Sequence, residues 1–212
     1  MASRNNDPSS GTNRRPRQQR GRDRVDAILD AAAAMIAVNG LTSVTMHRIA
    51  QVSGTTIGSM YHFFPDVSAV VEALGERIEQ DIQSLLLAVD AAGIDWAALT
   101  TGDAVDAFLD PIIEYGDSHP ELFEVLRVRV KPNAPGLARI DALMLELTSQ
   151  IVVARLPKLT RSDQLARSAA VLGVIGGISK RSDEVPSPPR KTMVREMKRV
   201  IVAYLDADRD RS

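Results

Sequence analysis

The sequence predicts an all-α fold, in which a small N-terminal helical domain precedes a larger helical domain. Apolar residues recur three and four positions apart along most of the chain, which is the spacing of one face of an α-helix. Glycine and proline separate these segments, and no segment shows the sustained alternation or the turn residues of a β-hairpin. We therefore expect a disordered basic arm at residues 1–19, one domain at residues 20–66 and a second at residues 67–212.

The composition is that of an ordinary globular protein. Hydrophobic residues make up 44% of the chain and charged residues 25%, so the chain can bury a core and is not expected to be disordered throughout. The lack of cysteine excludes disulfides, thiolate zinc sites and cysteine nucleophiles. No apolar run approaches the ~20 residues of a membrane span, and no secretory signal is evident. We therefore expect a cytoplasmic protein without a membrane partner.

Charge is distributed unevenly along the chain. Up to Pro65 there are eight basic and four acidic residues, a net charge of +4, whereas the remainder has a net charge of −5. A basic first third is attracted to a polyanion, and an acidic body is repelled by it. Residues 1–19 lack apolar periodicity, so we expect their arginines either to stay solvated or to rest in a groove of DNA.

Three short helices are predicted before Pro65. The first begins near Arg24, where apolar residues start to recur at helical spacing, and it ends at Gly40. Thr45 is a suitable N-cap for the second helix. Thr56 is a suitable N-cap for the third, which should end before the proline. A glycine turn of a few residues joins the last two helices, which is the signature of a helix-turn-helix.

The second domain is predicted to contain six helices. Asp66 can cap a long helix that runs to about Asp90, with Gly93 just past its end. Prolines mark most of the later breaks. The further helices are expected at about residues 101–118, 120–131, 136–157, 161–180 and 188–207.

The segment LTSVTMHRIAQVSGTTIGSMYHFFP, at residues 41–65, resembles the DNA-binding region of TetR-family repressors. The most specific positions are Ile49-Ala50, Gly54 and the run from Gly58 to Pro65. The close match covers about residues 24–75, and the remaining helices agree with the family in number and order. The resemblance implies a homodimeric regulator, not an enzyme, that binds a palindromic operator in double-stranded DNA and responds to a small-molecule effector. It implies no cofactor.

The third helix is the expected reading element. Small residues at Gly58 and Ser59 allow it to enter the major groove, which is ~12 Å wide. Tyr61 and His62 can reach phosphates, although Tyr61 is alternatively a core residue and the histidines are alternatively plain surface residues. Many relatives have lysine at the position of Ile57, so an apolar contact is expected there. The predicted DNA-binding residues are Thr45, His47, Arg48, Thr56, Ile57, Gly58, Ser59, Tyr61 and His62.

The last two helices carry the predicted dimer interface. Small residues repeat every fourth position on one, and larger apolar residues form a heptad-like seam on the other. Two copies would bury both stripes in a four-helix interface, as in TetR-like proteins, unless the stripes pack within their own domain. The predicted interface residues are Ala169, Gly173, Gly177, Met193, Met197, Val200 and Tyr204.

An apolar effector pocket is implied by the resemblance in the middle helices. Pro111 lies inside one of them and should kink it, because proline cannot donate a backbone hydrogen bond. Apolar residues at this spacing are alternatively core residues. The candidate lining residues are Phe108, Ile112, Tyr115, Phe123, Leu126, Met144 and Leu147.

Other classes of function have weaker support in the sequence. His119 lies near several acidic residues, but solvated acids at a helix junction account for them, and no metal site is expected. Enzymatic motifs are missing, since the chain has three histidines and no phosphate-binding glycine loop. The remaining alternatives are a helical adaptor without a regulatory role and a nucleoid protein that does not respond to ligands.

Overall fold

A computed structural model describes residues 14–128, 135–184 and 188–207 of the protein. These residues form helices, turns and short connections and contain no strand, so the prediction of an all-α fold is confirmed. A 3₁₀ turn, Leu41–Ser43, lies between the first two helices. The helices are α1 (Arg14–Asn39), α2 (Met46–Val52), α3 (Ile57–Phe63), α4 (Val67–Ala91), α5 (Thr101–Ser118), α6 (Leu122–Val128), α7 (Pro135–Arg155), α8 (Arg161–Glu184) and α9 (Arg190–Asp206).

The chain divides into two compact units. The first comprises the residues up to Gly75 together with α6 from Glu124 onward, and the second comprises the other described residues. The division in α4 lies later than the boundary predicted at residue 66, because the first turns of α4 bury Val70 and Leu74. A continuous amphipathic helix gives no local signal of such a boundary.

Local capping chemistry sets the short helices of the first unit. The Thr45 hydroxyl accepts a hydrogen bond from the Arg48 backbone N–H at 3.3 Å, and the Thr56 hydroxyl accepts one from Ser59 N–H at 3.3 Å. Each bond satisfies an amide that the first turn of a helix leaves unpaired. Both predicted N-caps are therefore confirmed. Gly54, with φ of +65°, makes the turn between α2 and α3.

The first helix starts earlier than predicted. It begins at Arg14 rather than near Arg24, so residues 14–19 of the predicted arm are helical. Arginine and glutamine are good helix formers, and proline at residue 16 is tolerated because the first turn has no intrahelical N–H bonds to lose. The side chain of Gln19 also donates to Asp23 one turn later, at 2.8 Å. Residues 1–13 lie outside the described residues.

Helix α6 supports the turn that follows α1. The Leu41 backbone N–H donates to the Glu124 carboxylate at 2.7 Å. Gly40 precedes it with φ of +74°, and a side chain there would begin 3.5 Å from the same carboxylate. This arrangement satisfies an otherwise unpaired amide of the 3₁₀ turn and fixes the direction in which the chain enters α2.

The core of the second unit is apolar, and a buried arginine beside it binds the connection between α4 and α5. Leu86, Leu147 and Ile201 are completely or almost completely buried. The buried guanidinium of Arg155 donates to the backbone carbonyls of Trp96 and Leu99, which lie in the connection from α4 to α5. These carbonyls have no partner within a helix, so Arg155 supplies the hydrogen bonds that burial requires.

The helices that follow α4 agree with the predicted ones to within a few residues. α5 has the predicted limits, and Thr100 caps it by accepting a hydrogen bond from Asp103 N–H at 3.1 Å. α6 is shorter than predicted, because it begins after the turn at Pro120 and its described residues end at Val128. Within the described part of the chain, no helix is both long and apolar enough to span a membrane.

Candidate DNA-binding surface

Helix α3 has one buried face and one exposed face. Met60 is completely buried. Thr55, which precedes the helix, and Phe64, which follows it, are also buried. Packing within the first unit therefore turns this face of α3 inward. Ile57 is 36% exposed and Tyr61 51% exposed. The predicted DNA-binding residues that α3 and its cap expose are Thr56, Ile57, Gly58, Tyr61 and His62, with Ser59 half-buried beside them.

The start of α2 lies at the surface as well. Thr45, His47 and Arg48 are exposed. The Arg48 guanidinium donates to the backbone carbonyl of Ser43 at 3.1 Å, so the side chain is held along the 3₁₀ turn instead of extending freely. Its charge remains accessible at the N-terminal end of α2, where backbone N–H groups already favour an anion.

Gly58 leaves open space on the outer face of α3. A Cβ atom built on this glycine meets no heavy atom within 4 Å, apart from its chain neighbours and the helix backbone. Its φ is not positive, so the backbone does not require glycine there. Lack of a side chain at this exposed position lets another molecule approach the helix backbone closely.

Arg24 of α1 also contacts α3, and it is not among the predicted DNA-binding residues. Its Nη1 donates to the Ser59 hydroxyl at 3.3 Å. Periodicity places Arg24 on the same side of α1 as Ile28, which is completely buried, but it does not show that this side meets α3. The first helix therefore adds a positive charge beside the half-buried hydroxyl of α3.

The predicted dimer residues divide between exposed and buried positions. Ala169, Gly173 and Gly177 are all exposed on α8, and Met193 is half-buried on α9. A Cβ atom on either glycine meets no atom within 4 Å. This row of α8 therefore leaves a smooth surface, as the four-residue spacing predicts.

The prediction for Met197 needs correction. Its side chain is only 3% exposed, because it shares a face of α9 with Ile201 and Leu205, which pack in the core of the same chain. Val200 and Tyr204 lie on the other face, at 47% and 39% exposure. The heptad-like seam combined residues from both faces of a helix whose period is 3.6.

The predicted effector residues lie in several environments. Phe108 and Leu147 are fully buried core residues, and Leu126 belongs to the first unit, unlike the other six. The remaining four are half-buried in the second unit. These four residues are Ile112, Tyr115, Phe123 and Met144.

Tyr115 is held by polar contacts. Its hydroxyl donates to the Asp81 carboxylate at 2.9 Å, and its ring stacks on His119 with centroids 4.0 Å apart. Burial and the bond to Asp81 raise the pKa of Tyr115 well above its usual range. The phenol keeps its proton, which is the one that it donates to Asp81.

A cleft of about 770 Å³ lies between α5 and α9, and it contains none of the predicted effector residues. Ile113, Val194 and Val202 form part of its apolar surface. Burial alone would lower the pKa of Lys198, but its hydrogen bonds to Asp106 and Asp110 outweigh burial and raise it. These ion pairs join α5 to α9 across the cleft.

His119 is part of a helix junction. Its Nδ1 lies 2.9 Å from the backbone carbonyl of Tyr115. Over the described ranges, no group of three or more histidine, aspartate or glutamate side chains is arranged to hold a metal ion.

Two family models match the chain. The model described as "Bacterial regulatory proteins, tetR family" covers residues 28–74, and that described as "Tetracyclin repressor-like, C-terminal domain" covers residues 102–205. Together they span most of the chain, including α2, α3 and all but the last residue of α9.

Curated relatives match over a shorter stretch. The nucleoid occlusion factor SlmA of Haemophilus ducreyi is 30% identical over 106 residues, which are 50% of this chain and 50% of that protein. The HTH-type transcriptional repressor KstR2 of Rhodococcus jostii is 29% identical over 96 residues, or 42% of this chain and 47% of the relative. The chain thus spans about half the length of the curated relatives it matches.

Solved structures share the fold over most of the chain. A TetR-family transcriptional regulator from Streptomyces coelicolor aligns with a TM-score of 0.58 at 19% identity, covering 87% of this chain and 98% of that one. SmeT, the repressor of the SmeDEF multidrug efflux pump of Stenotrophomonas maltophilia, aligns with a TM-score of 0.57 at 19% identity, covering 87% and 89%. SmeT is also known in complex with triclosan, and that structure aligns with a TM-score of 0.55 at 19% identity, covering 87% and 90%.

Proposed function

Because this chain belongs to the TetR family of bacterial DNA-binding transcriptional regulators, we propose that it is a repressor. In this proposal it binds a palindromic operator as a homodimer and leaves the operator when a small molecule binds. The exposed face of α3 is the observation that carries the proposal. It combines an open glycine with hydroxyl, aromatic and apolar side chains on a helix whose other face is buried. SmeT and KstR2 are both named repressors, which supports this mode of regulation.

Contacts at this surface are proposed to divide between positioning and reading. Tyr61 and His62 at the end of α3 hold phosphate oxygens, and Thr45 and Arg48 hold a phosphate at the start of α2. Ile57 and Ser59, near the start of α3, face the edges of bases. The exposed apolar side chain of Ile57 suits a thymine methyl group, which lies in the major groove.

Two substitutions on α3 separate these roles. Tyr61→Phe removes one phosphate hydrogen bond and should weaken binding to all sequences alike, by about 0.5–1.5 kcal/mol per half-site. Ile57→Lys exchanges an apolar contact for a donor and should change which base is preferred. Competition binding to operator duplexes with one altered base pair measures both effects. A change of base preference in Tyr61→Phe with none in Ile57→Lys would contradict this orientation of α3.

The dimer is proposed to form through the exposed faces of α8 and α9. Gly173 and its small neighbours on α8 allow a second helix to approach closely, and Val200 and Tyr204 of α9 supply exposed apolar area. Tyr204 also lies under the Arg167 guanidinium, 5.1 Å from its ring centroid, which orients the ring. The two-fold symmetry of such a dimer would match the inverted half-sites of a palindromic operator.

The effector is proposed to be an apolar small molecule bound within the second unit. Its proposed contacts are the half-buried side chains of Ile112, Tyr115, Phe123 and Met144. The Tyr115 hydroxyl already donates to Asp81, so its oxygen can accept a hydrogen bond among these apolar groups, which suits a ligand with one polar donor. The complex of SmeT with triclosan supports a ligand of this class.

A thermal-shift screen with triclosan and other apolar phenols tests this proposal. A ligand present at 100 times its Kd should stabilise the protein by ~2.7 kcal/mol, and hence raise Tm by roughly 5–10 °C. The same compound should release the protein from its operator, and Met144→Glu should weaken both effects. Stabilisation without release would show that the ligand does not regulate DNA binding.

A second candidate function follows from the similarity to SlmA. A nucleoid-associated protein would use the same α3 surface without a regulatory ligand. The alignment with SlmA covers half of this chain, so it is compatible with either function. Release of the protein from its operator by any compound in the screen would favour the repressor.

A further inference from the structure

We propose that α1 carries a second phosphate-binding contact, formed by Arg20 and Arg24, which holds the DNA backbone beside the half-site that α3 reads. This inference rests on the proposed operator binding and extends its contact surface to a helix outside the helix-turn-helix. The contact would position the protein without reading bases.

The contact between Arg24 and Ser59 fixes the side of α1 that is involved. Arg24 Nη1 lies 3.3 Å from the Ser59 hydroxyl, and Ser59 is half-buried beside the exposed Gly58 of α3. A guanidinium has five N–H donors, so this bond leaves donors for a phosphate at the same place. Arg24 is exposed, which keeps those donors accessible.

Arg20 extends this contact along the helix. It lies four residues before Arg24, and side chains four residues apart share one face of a helix. It is exposed, and α1 is helical from Arg14 onward. The four residues from Arg20 to Arg24 span ~6 Å along the axis of α1. Two nucleotides of one DNA strand span a similar ~7 Å along the duplex axis. The two arginines can therefore follow one DNA strand.

The charge of this face favours DNA over a protein partner of mixed charge. Among the described residues, no carboxylate forms an ion pair with Arg20 or Arg24. Asp23 is occupied by the side chain of Gln19, at 2.8 Å. Arginine also presents the planar fork that binds phosphate most readily.

Arg20→Gln tests the contact, and Arg22→Gln is its matched control. Arg22 is also exposed on α1, but two residues place it on the opposite side of the helix. Both variants lose one charge at neighbouring positions, so general attraction to DNA falls equally. Fluorescence anisotropy with the full chain and the operator duplex, between 50 and 200 mM KCl, measures affinity and its salt dependence.

The contact predicts different results for the two variants. Arg20→Gln should reduce the slope of log K against log salt by ~1.8 and lower affinity about 25-fold at 0.15 M salt, because the homodimer loses one phosphate contact at each half-site. Arg24→Gln should do the same, and Arg22→Gln should change the slope little. On a duplex trimmed to the half-sites, Arg20→Gln and the wild type should bind alike.

The outcomes also separate this proposal from the proposed function. Equal losses in Arg20→Gln and Arg22→Gln would overturn the α1 contact while leaving operator binding intact. A loss that persists on the trimmed duplex would overturn it as well. Failure of the wild type to bind any selected duplex would instead contradict the proposed function.

Discussion

Replacing Gly58 with leucine is expected to abolish tight operator binding while leaving the protein at least as stable as the wild type. A Cβ atom at Gly58 meets nothing within 4 Å, so the new side chain has room in the free protein. A helix-favouring residue should stabilise α3 by ~0.5–1 kcal/mol, because glycine loses more backbone freedom on folding. The leucine would then occupy the space between the helix and the floor of the major groove.

The expected loss is large because both half-sites are affected. Overpacking commonly costs ~1–3 kcal/mol, and two copies of α3 in a dimer would lose at least about 30-fold in affinity. Gly58→Ala is the matched control, since it gives the helical gain with one methyl group and should bind better than the leucine variant. Thermal melts and anisotropy titrations measure both properties. Wild-type affinity in the leucine variant would show that this face of α3 does not enter the groove.

Gly173→Leu is expected to convert the proposed dimer to monomers. The variant should also lose operator binding, although Gly173 lies on α8 and not on α3. The single chain offers no obstacle to the substitution, because nothing lies within 4 Å of the added Cβ atom and Gly173 is exposed. A partner helix on this face would collide with the leucine, and two-fold symmetry makes the change enter the interface twice. The dissociation constant of the dimer should rise by at least about 30-fold.

DNA binding should fall along with dimerisation. One copy holds one half-site, and loss of the linked second contact removes an avidity of about 10²–10⁴. Ala142→Leu adds a leucine to an exposed position of α7 and should leave both properties unchanged. Sedimentation beside an operator titration measures the two effects. A Gly173→Leu protein that stays dimeric would place the interface elsewhere, and a monomer with undiminished affinity would contradict binding by a dimer.

The helices and caps of the proposed DNA-binding surface could be predicted because their signals are local. Threonine at residues 45 and 56 caps a helix through its own hydroxyl, and glycine at residue 54 permits a positive φ, so each residue type acts within a few positions of itself. The early start of α1 was missed because its first turns carry no apolar stripe. Arginine and glutamine, which favour a helix by intrinsic propensity, occupy these turns instead.

Features that depend on tertiary packing could not be predicted from local sequence signals. Met197 and Val200 are both apolar and close in sequence, yet one faces the core and the other faces solvent. Phe108 and Leu147 are buried core residues, and apolar periodicity does not distinguish a core residue from one that lines a cavity. Arg24 was missed because its contact with Ser59 joins residues 35 positions apart.

Selection of bound sequences from random duplex DNA, with the full chain, tests the central claim most directly. A dimer that presents two copies of α3 on one face of DNA should enrich an inverted repeat, with half-site centres ~10 base pairs apart or a multiple of that distance. Binding to the selected site should weaken steeply between 50 and 200 mM salt. Enriched sites without inverted symmetry, or no enrichment at all, would contradict the account.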